Sequence, residues 1–318
     1  MTSPFHFPSL VWDEIIAIYL FLLGISAGVT FLAVLYKRSG LTTEPSQSAL
    51  IRNSAIIAPL SLVVGLTILI FHLTKPWAFW YLMFNYHHTS IMSMGVMLFQ
   101  FYMLFLCLWL AIIFRQDIAN LIVKFLPKLS FINPIITWLV RFSAKIEIIL
   151  LLFSILLGAY TGFLLSALIS YPMLNNPVLP VLFLVSGISS GVATLTLALL
   201  LVSKTSPTAT ELTFIHKFEF PLILIESFLL FAFCIGLYLG GGQKTVAIMN
   251  AIGGGFWANV FWVGIVIIGL IVPALFNGLA TKKLKHKRGL ILLIASFSLF
   301  GILCLRFFIL YAGQMTLA

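Results

Sequence analysis

Four ionisable side chains fall inside otherwise apolar stretches of the sequence: Glu147, Glu219, Glu226 and Arg306. Charge is costly to bury in an apolar medium, so groups kept there mark proton or ion pathways, or ion pairs. Glu219 and Glu226 are seven apart, which places both on one face of a helix. At a rise of about 1.5 Å per residue, Glu226 lies about 10 Å and Arg306 about 25 Å from the basic ends of their segments, an offset that argues against a direct ion pair. The chemistry expected is a proton-conducting or charge-compensating line comprising Glu226, Arg306, Glu219 and Glu147. The competing reading pairs Glu219 with Lys217 and Glu147 with Lys145 near the membrane surface. A second polar set gathers at the other end of the apolar segments: Trp12, Asp13, Tyr19, His72, Lys75, Tyr86, His87, His88, Thr89, Ser90 and Tyr160. Imidazole and phenol groups hydrogen-bond ring oxygens and exchange protons near neutral pH, and Phe and Leu walls hold an apolar tail. That combination suits a quinone. For Trp12, Tyr86, His87 and His88 the alternative is an aromatic belt at the membrane surface.

These side chains must be positioned by membrane-spanning helices. The chain has 318 residues, 62% hydrophobic and 8% charged, against roughly 25% charged in an average soluble domain. Its mean hydropathy is +1.16, and it carries too few polar side chains to cover a water-soluble globule. Apolar runs of about 20 residues, enough to cross a bilayer, occur at 13–36, 50–72, 89–114, 145–170, 178–203, 219–241, 256–277 and 289–312. The sequence therefore predicts an all-α protein of eight transmembrane helices. Of the 18 Lys and Arg, all but Lys75, Lys244 and Arg306 fall in the loops of one side. The positive-inside rule places that side in the cytoplasm and both termini in the periplasm of a bacterial inner membrane. The net charge of +10 is thus a topology signal, and nucleic acid is not an expected partner. Residues 1–10 lack the basic n-region and cleavage site of a signal peptide, so the first span is expected to be retained. The longest loop, about 115–144, contains Pro127 and Pro134 and has no room for an extramembrane catalytic domain.

Cys107, Cys234 and Cys304 are isolated in apolar segments and read as small buried hydrophobes, with no spacing for an iron–sulfur cluster. His72 and His216 sit at helix ends on opposite sides, which argues against haem ligation between spans. His87 and His88 lack a third metal ligand at a recognisable spacing. The segment Gly24-Ile25-Ser26-Ala27-Gly28-Val29 recurs almost unchanged as Gly187-Ile188-Ser189-Ser190-Gly191-Val192. Four spans separate the copies, so the sequence reads as two parallel four-helix bundles related by an internal repeat. Residues 1–144, continuing through the fourth span to 176, form the quinol-binding half, and 177–318 the second. The Gly-x-x-x-Gly spacing itself is explained by close helix packing.

The stretch from Trp12 to Gly28 resembles the opening signature of the NrfD/PsrC family, the membrane subunits of polysulfide reductase and related quinone-linked oxidoreductases. His72-Leu73-Thr74-Lys75-Pro76-Trp77-Ala78-Phe79-Trp80, followed by Thr89-Ser90-Ile91-Met92-Ser93-Met94-Gly95, is similar to the family's second signature, and Pro177 to Gly187 fits as well. The resemblance covers the whole sequence. It implies an anchor and quinol-binding subunit beneath a four-cluster iron–sulfur subunit and a molybdopterin catalytic subunit on the periplasmic face, with menaquinol as electron donor. The protein itself would carry a quinol-oxidation site but not the catalytic centre of the complex. The family's quinone-associated tyrosine of the fourth helix matches Tyr160, in Ala159-Tyr160-Thr161-Gly162. His72 stands where the family usually has Asp, and imidazole titrates near about 6.5 rather than about 3.9. The implied site is Tyr160, His72 and Tyr19, with Asp13 and Ser90 beside them. Two other classes share parts of the pattern, a secondary transporter built from two parallel repeats and a passive membrane anchor. Co-purifying redox subunits would argue against the first, and a bound quinone against the second.

Overall fold

The computed structural model describes residues 4–42, 44–73, 75–87, 89–125, 132–279 and 281–317. Thr74, Pro127, Lys128 and His88 lie outside them. Among the described residues the protein is helical and has no β-strand. Eight helices are long and apolar enough to cross a membrane: α1 Glu14–Arg38, α2 Ala49–His72, α3 Ile91–Ile113, α4 Ser143–Ser166, α5 Leu179–Leu201, α6 Thr210–Leu239, α7 Phe256–Leu279 and α8 Arg288–Gln314. Short helices at Arg115–Phe125, Ile132–Val140 and Gly242–Ile252 occupy stretches between spans.

The spans agree with the hydropathy reading except at two ends that bear on the candidate residues. Helix α6 begins at Thr210, nine residues before the apolar run, with Glu211 in its first turn. A carboxylate there is favoured by the partial positive charge of the helix start, so the helix continues through polar residues that hydropathy rejects. His216, Lys217 and Glu219 are consequently helical. Helix α4 stops at Ser166, so Tyr160 lies about 9 Å from its end rather than deeper.

Helices α1 and α5 form the core: 72% of the apolar window of each is buried, against 28–50% for the other six. The hydrophobic effect does not drive helices together inside lipid, where close packing of small residues does. The two Gly-x-x-x-Gly segments supply it by crossing each other directly. A Cβ on Gly28 would sit 2.9 Å from the Gly187 carbonyl carbon and 3.0 Å from the Gly191 nitrogen, and one on Gly191 would sit 2.6 Å from the Val29 nitrogen. Helix α1 also packs along α2 and α4, with α3 against both α2 and α4; α5 packs along α4, α6 and α8, and α8 along α7. Residues Val260–Ile271 of α7 are wound as a π-helix, and Gly269 there abuts Gly301 of α8. Cys107 is exposed on α3 rather than buried, because its face points away from the other helices.

The two described ends of the protein meet on one face, termed outer here from the positive-inside asymmetry. Buried Gln314 accepts the Val11 and Trp12 N–H groups, both at 2.9 Å, and its amide donates to the Trp12 carbonyl at 2.8 Å. The Ser9 hydroxyl donates to the Gln314 carbonyl, and the Trp257 indole donates to the Pro4 carbonyl. Residues 4–12 are thereby strapped across the ends of α7 and α8.

Candidate functional site

At the outer end of α1, Asp13 is the helix cap: one carboxylate oxygen accepts the Ile15 N–H at 3.1 Å, while the other lies 3.6 Å from His72 Nδ1 at the end of α2. The two side chains are about one-third exposed. One helical turn and a half below, Tyr19 is buried, with its ring edge-on to Phe99 of α3 at 6.3 Å. Phe99 is in turn edge-on to Tyr160 of α4 at 5.3 Å. The two tyrosines are close enough to interact electrostatically. The Tyr160 hydroxyl end fits where Gly95 of α3 leaves room; a Cβ on Gly95 would lie 2.5 Å from Tyr160 Cε2 and closer still to Cζ and the oxygen. Neither the Tyr19 nor the Tyr160 hydroxyl has a hydrogen-bond partner among the described residues. Four helices thus converge on an aromatic layer holding two unengaged phenols beneath a carboxylate–imidazole pair about one-third exposed.

Ser90 is not part of that layer. It caps α3, accepting the Ser93 N–H at 3.4 Å. Tyr86 hydrogen-bonds Gln100 and the Met83 carbonyl, both at 2.5 Å, and the His87 N–H donates to the Ser93 hydroxyl, so these outer residues organise the loop before α3. Lys75 is exposed. Trp12 is engaged through its backbone with Gln314. The site has members that the sequence reading passed over. Gly95 and Phe99 set the position of Tyr160, and the only sequence signal was that Gly95 closes the second signature. Glu14 accepts the Tyr311 hydroxyl at 2.6 Å and interacts electrostatically with His72 and His6. Its adjacency to Asp13 could have drawn attention.

The buried charges separate into two places. Glu147 forms an ion pair with Lys37 of α1 and accepts the Ser143 hydroxyl at 2.6 Å. It belongs to an α1–α4 contact near the basic side and not to a line with the other three, nor is Lys145 its partner; the Lys145 ammonium lies 5.9 Å from the Phe142 ring centroid. Glu219 pairs with His216 at 2.9 Å, one helical turn back, rather than with adjacent Lys217, because residues i and i+3 share a helix face and neighbours do not. Glu219 also lines a small cavity of about 20 Å³ with Ser189, Asn277 and Ser298. That volume accommodates about one water, with polar partners to hold it. Glu226 is buried, reaches Ser189, and interacts electrostatically with Arg306. As the axial offset indicated, Glu226 and Arg306 form no direct ion pair among the described residues. Arg306 is fully buried, its guanidinium 3.8 Å over the Phe183 ring, and Nη2 donates to the Phe183 carbonyl at 3.2 Å. Its Nε and Nη1 have no hydrogen-bond partner among the described residues. A third buried polar knot was not foreseen: the Tyr102 hydroxyl meets the Thr30 hydroxyl at 2.7 Å and the Ser26 hydroxyl at 3.0 Å, tying α3 to α1.

Among the described residues no group of three or more His, Cys, Asp and Glu is arranged to hold a metal ion. Comparison with known proteins finds relatives along the whole sequence. The family described as "Polysulphide reductase, NrfD" matches residues 2–318. The protein is 55% identical to "Protein NrfD homolog" of Haemophilus influenzae, over 99% of its own length and 98% of the relative's. It is 51% identical to "Protein NrfD" of Escherichia coli, over 100% and 99% of the two lengths. It is 37% identical to the C subunit of polysulfide reductase of Wolinella succinogenes, over 97% and 96%. With eight apolar spans and this full-length similarity, the chain is a multi-pass protein of the bacterial inner membrane and belongs to the NrfD polysulphide reductase family.

Proposed function

We propose that this protein is the membrane subunit of a respiratory oxidoreductase complex, that it oxidises menaquinol close to the outer face, and that it passes the electrons to an iron–sulfur partner. The observation that carries the reading is the pair of buried phenols, Tyr19 and Tyr160, without hydrogen-bond partners, lying below the Asp13–His72 pair. Both residues are buried, yet neither hydroxyl oxygen is a sealed, unpartnered polar atom, which leaves each phenol open to a ligand oxygen. Phe99 and the apolar faces of α1, α3 and α4 suit a flat ring with an isoprenoid tail. Tyr160, set by Gly95 and Phe99, orients the ring by donating a hydrogen bond. His72, with Nδ1 turned toward Asp13, keeps Nε2 available to accept a proton, and Asp13 stabilises the imidazolium that results. The membrane substrate supplies two electrons and two protons; the electrons leave to the partner's nearest cluster.

The similarity to a protein named as a chain of polysulfide reductase supports partner catalytic and iron–sulfur subunits; the reading proposed here makes them a molybdopterin subunit and a four-cluster subunit on the outer face. The terminal acceptor is then chosen by the catalytic subunit. The recurrence of the glycine segment in α1 and α5 supports a division into two four-helix halves at about residue 176 that meet at the glycine crossing, and the basic loops of the opposite side support both termini in the periplasm. Replacing Tyr160 by Phe tests the site directly. The variant complex should co-purify with its partners and lose most quinol-driven reduction, and wild-type turnover would remove Tyr160 from the mechanism.

A second reading concerns the other bundle. The water-sized cavity beside Glu219 and Ser189, followed by Glu226 and the incompletely bonded Arg306, supports a proton route from the basic side toward the membrane interior. Glu147, pinned by Lys37, is excluded from it. Glu226→Gln in vesicles should diminish proton movement that accompanies turnover; unchanged proton movement and turnover together would eliminate the route.

A further inference from the structure

We infer that Glu14, held in place by Tyr311, is the outlet through which protons leave the outer site. The inference rests on the quinol reading above. Two protons must leave for every two electrons, whereas the His72 imidazole, with Nδ1 facing Asp13, offers a single free nitrogen. Asp13 has little capacity to spare, since its other oxygen caps α1. His72 must therefore hand on its first proton before accepting the second, and a neighbouring base speeds that step.

Glu14 is the next base. It is exposed to the outer face, follows Asp13 directly in the sequence, and interacts electrostatically with His72. The titratable groups that act on it are His72 from α2, His6 from the strap and Tyr311 from α8, with Asp13 preceding it as the cap of its own helix. No Lys or Arg is among the groups acting on it. Glu147 shows the contrasting arrangement, in which Lys37 fixes the carboxylate charge. Glu14 is instead oriented by a neutral donor. The Tyr311 hydroxyl donates to one carboxylate oxygen at 2.6 Å, and the residue is exposed. Tyr311 is itself immobilised, stacked on Trp257 at 4.9 Å and met edge-on by Phe5 at 5.3 Å. It is a positioning residue, and Glu14 is the relay between His72 and outside water. Each proton arriving from His72 protonates Glu14 and then passes to water, so the carboxylate returns to its starting charge before the next.

The test uses the intact complex carrying Glu14→Gln, Glu14→Asp or Tyr311→Phe, with quinol-driven turnover measured at low and at high concentration of a small mobile buffer such as imidazole. Glu14→Gln should turn over about tenfold more slowly in dilute buffer and recover in concentrated buffer, with KM for quinol unchanged. Glu14→Asp should retain most of the rate, and Tyr311→Phe should fall between. Co-purification of the partner subunits shows that each variant assembles. A Glu14→Gln rate equal to wild type, or a loss that buffer does not restore, overturns the outlet. Measuring Tyr160→Phe in parallel distinguishes the two failures. If it is impaired while Glu14→Gln is not, only the outlet falls; if both are unimpaired, the quinol site falls too.

Discussion

Gly95→Ala probes the site without touching any group that exchanges a proton. The added methyl would stand 2.5 Å from Tyr160 Cε2 and closer to the hydroxyl end, whereas carbon atoms rest at about 3.5–4.0 Å. Tyr160 must therefore retreat by at least about 1 Å. The ring cannot simply swing aside, because Phe99 meets it edge-on at 5.3 Å. A misplacement of about 1 Å at a reacting centre costs on the order of 100-fold in rate. Helix α3 itself should tolerate the change, since Ala is the better helix former by about 1 kcal/mol. The assay is quinol-driven acceptor reduction by the purified complex, with partner co-purification as the measure of assembly. The expected result is an assembled complex whose turnover approaches that of Tyr160→Phe. Gly95→Ala with wild-type turnover would show that the position of Tyr160 is immaterial and refute the reasoning.

Gly191→Ala addresses the seam instead of the site. Its methyl would meet the backbone of Gly28 and Val29, which cannot rotate away, so we expect a loss of about 1–3 kcal/mol, read as a lowered midpoint in thermal unfolding in detergent. Lys37→Ala strands Glu147, whose side chain is only 6% exposed; we expect about 3 kcal/mol of destabilisation, and near-neutrality for Lys37→Met combined with Glu147→Met. Equal losses for the single and double variants would show that the pair contributes through packing and not through charge.

The eight spans were legible because lipid imposes a length and an apolar composition on anything that crosses it. The ends were less so: α6 extends through Glu211, His216 and Glu219, where helical hydrogen bonding persists after hydropathy has fallen. Asp13, Tyr19, His72 and Tyr160 were singled out from residue type and the family resemblance, yet what places Tyr160 is the space over Gly95, and no pattern in one dimension shows an absence of side chain opposite a ring. Glu147 was matched to the cation nearest in sequence, while its partner Lys37 lies on another helix; proximity along the backbone is a poor guide once helices pack side by side. Glu14 was not singled out in the sequence, because its partner Tyr311 arrives from α8. The repeated glycine motif was understood correctly as packing, but that its two copies pack on one another became visible only in three dimensions.

The strap over the outer face also sets an order of events during biosynthesis. Val11 and Trp12 are anchored by Gln314, some 303 and 302 residues later in the sequence, and Glu14 receives its hydroxyl from Tyr311. Residues 11 and 12 therefore lack this anchor until the eighth helix has been delivered to the membrane. Up to that moment Asp13 and Glu14 begin a helix whose entry is unsecured, and the surface above them is unfinished. Any surface made jointly by residues 4–12 and the end of α8 is therefore complete only once the eighth helix is in place.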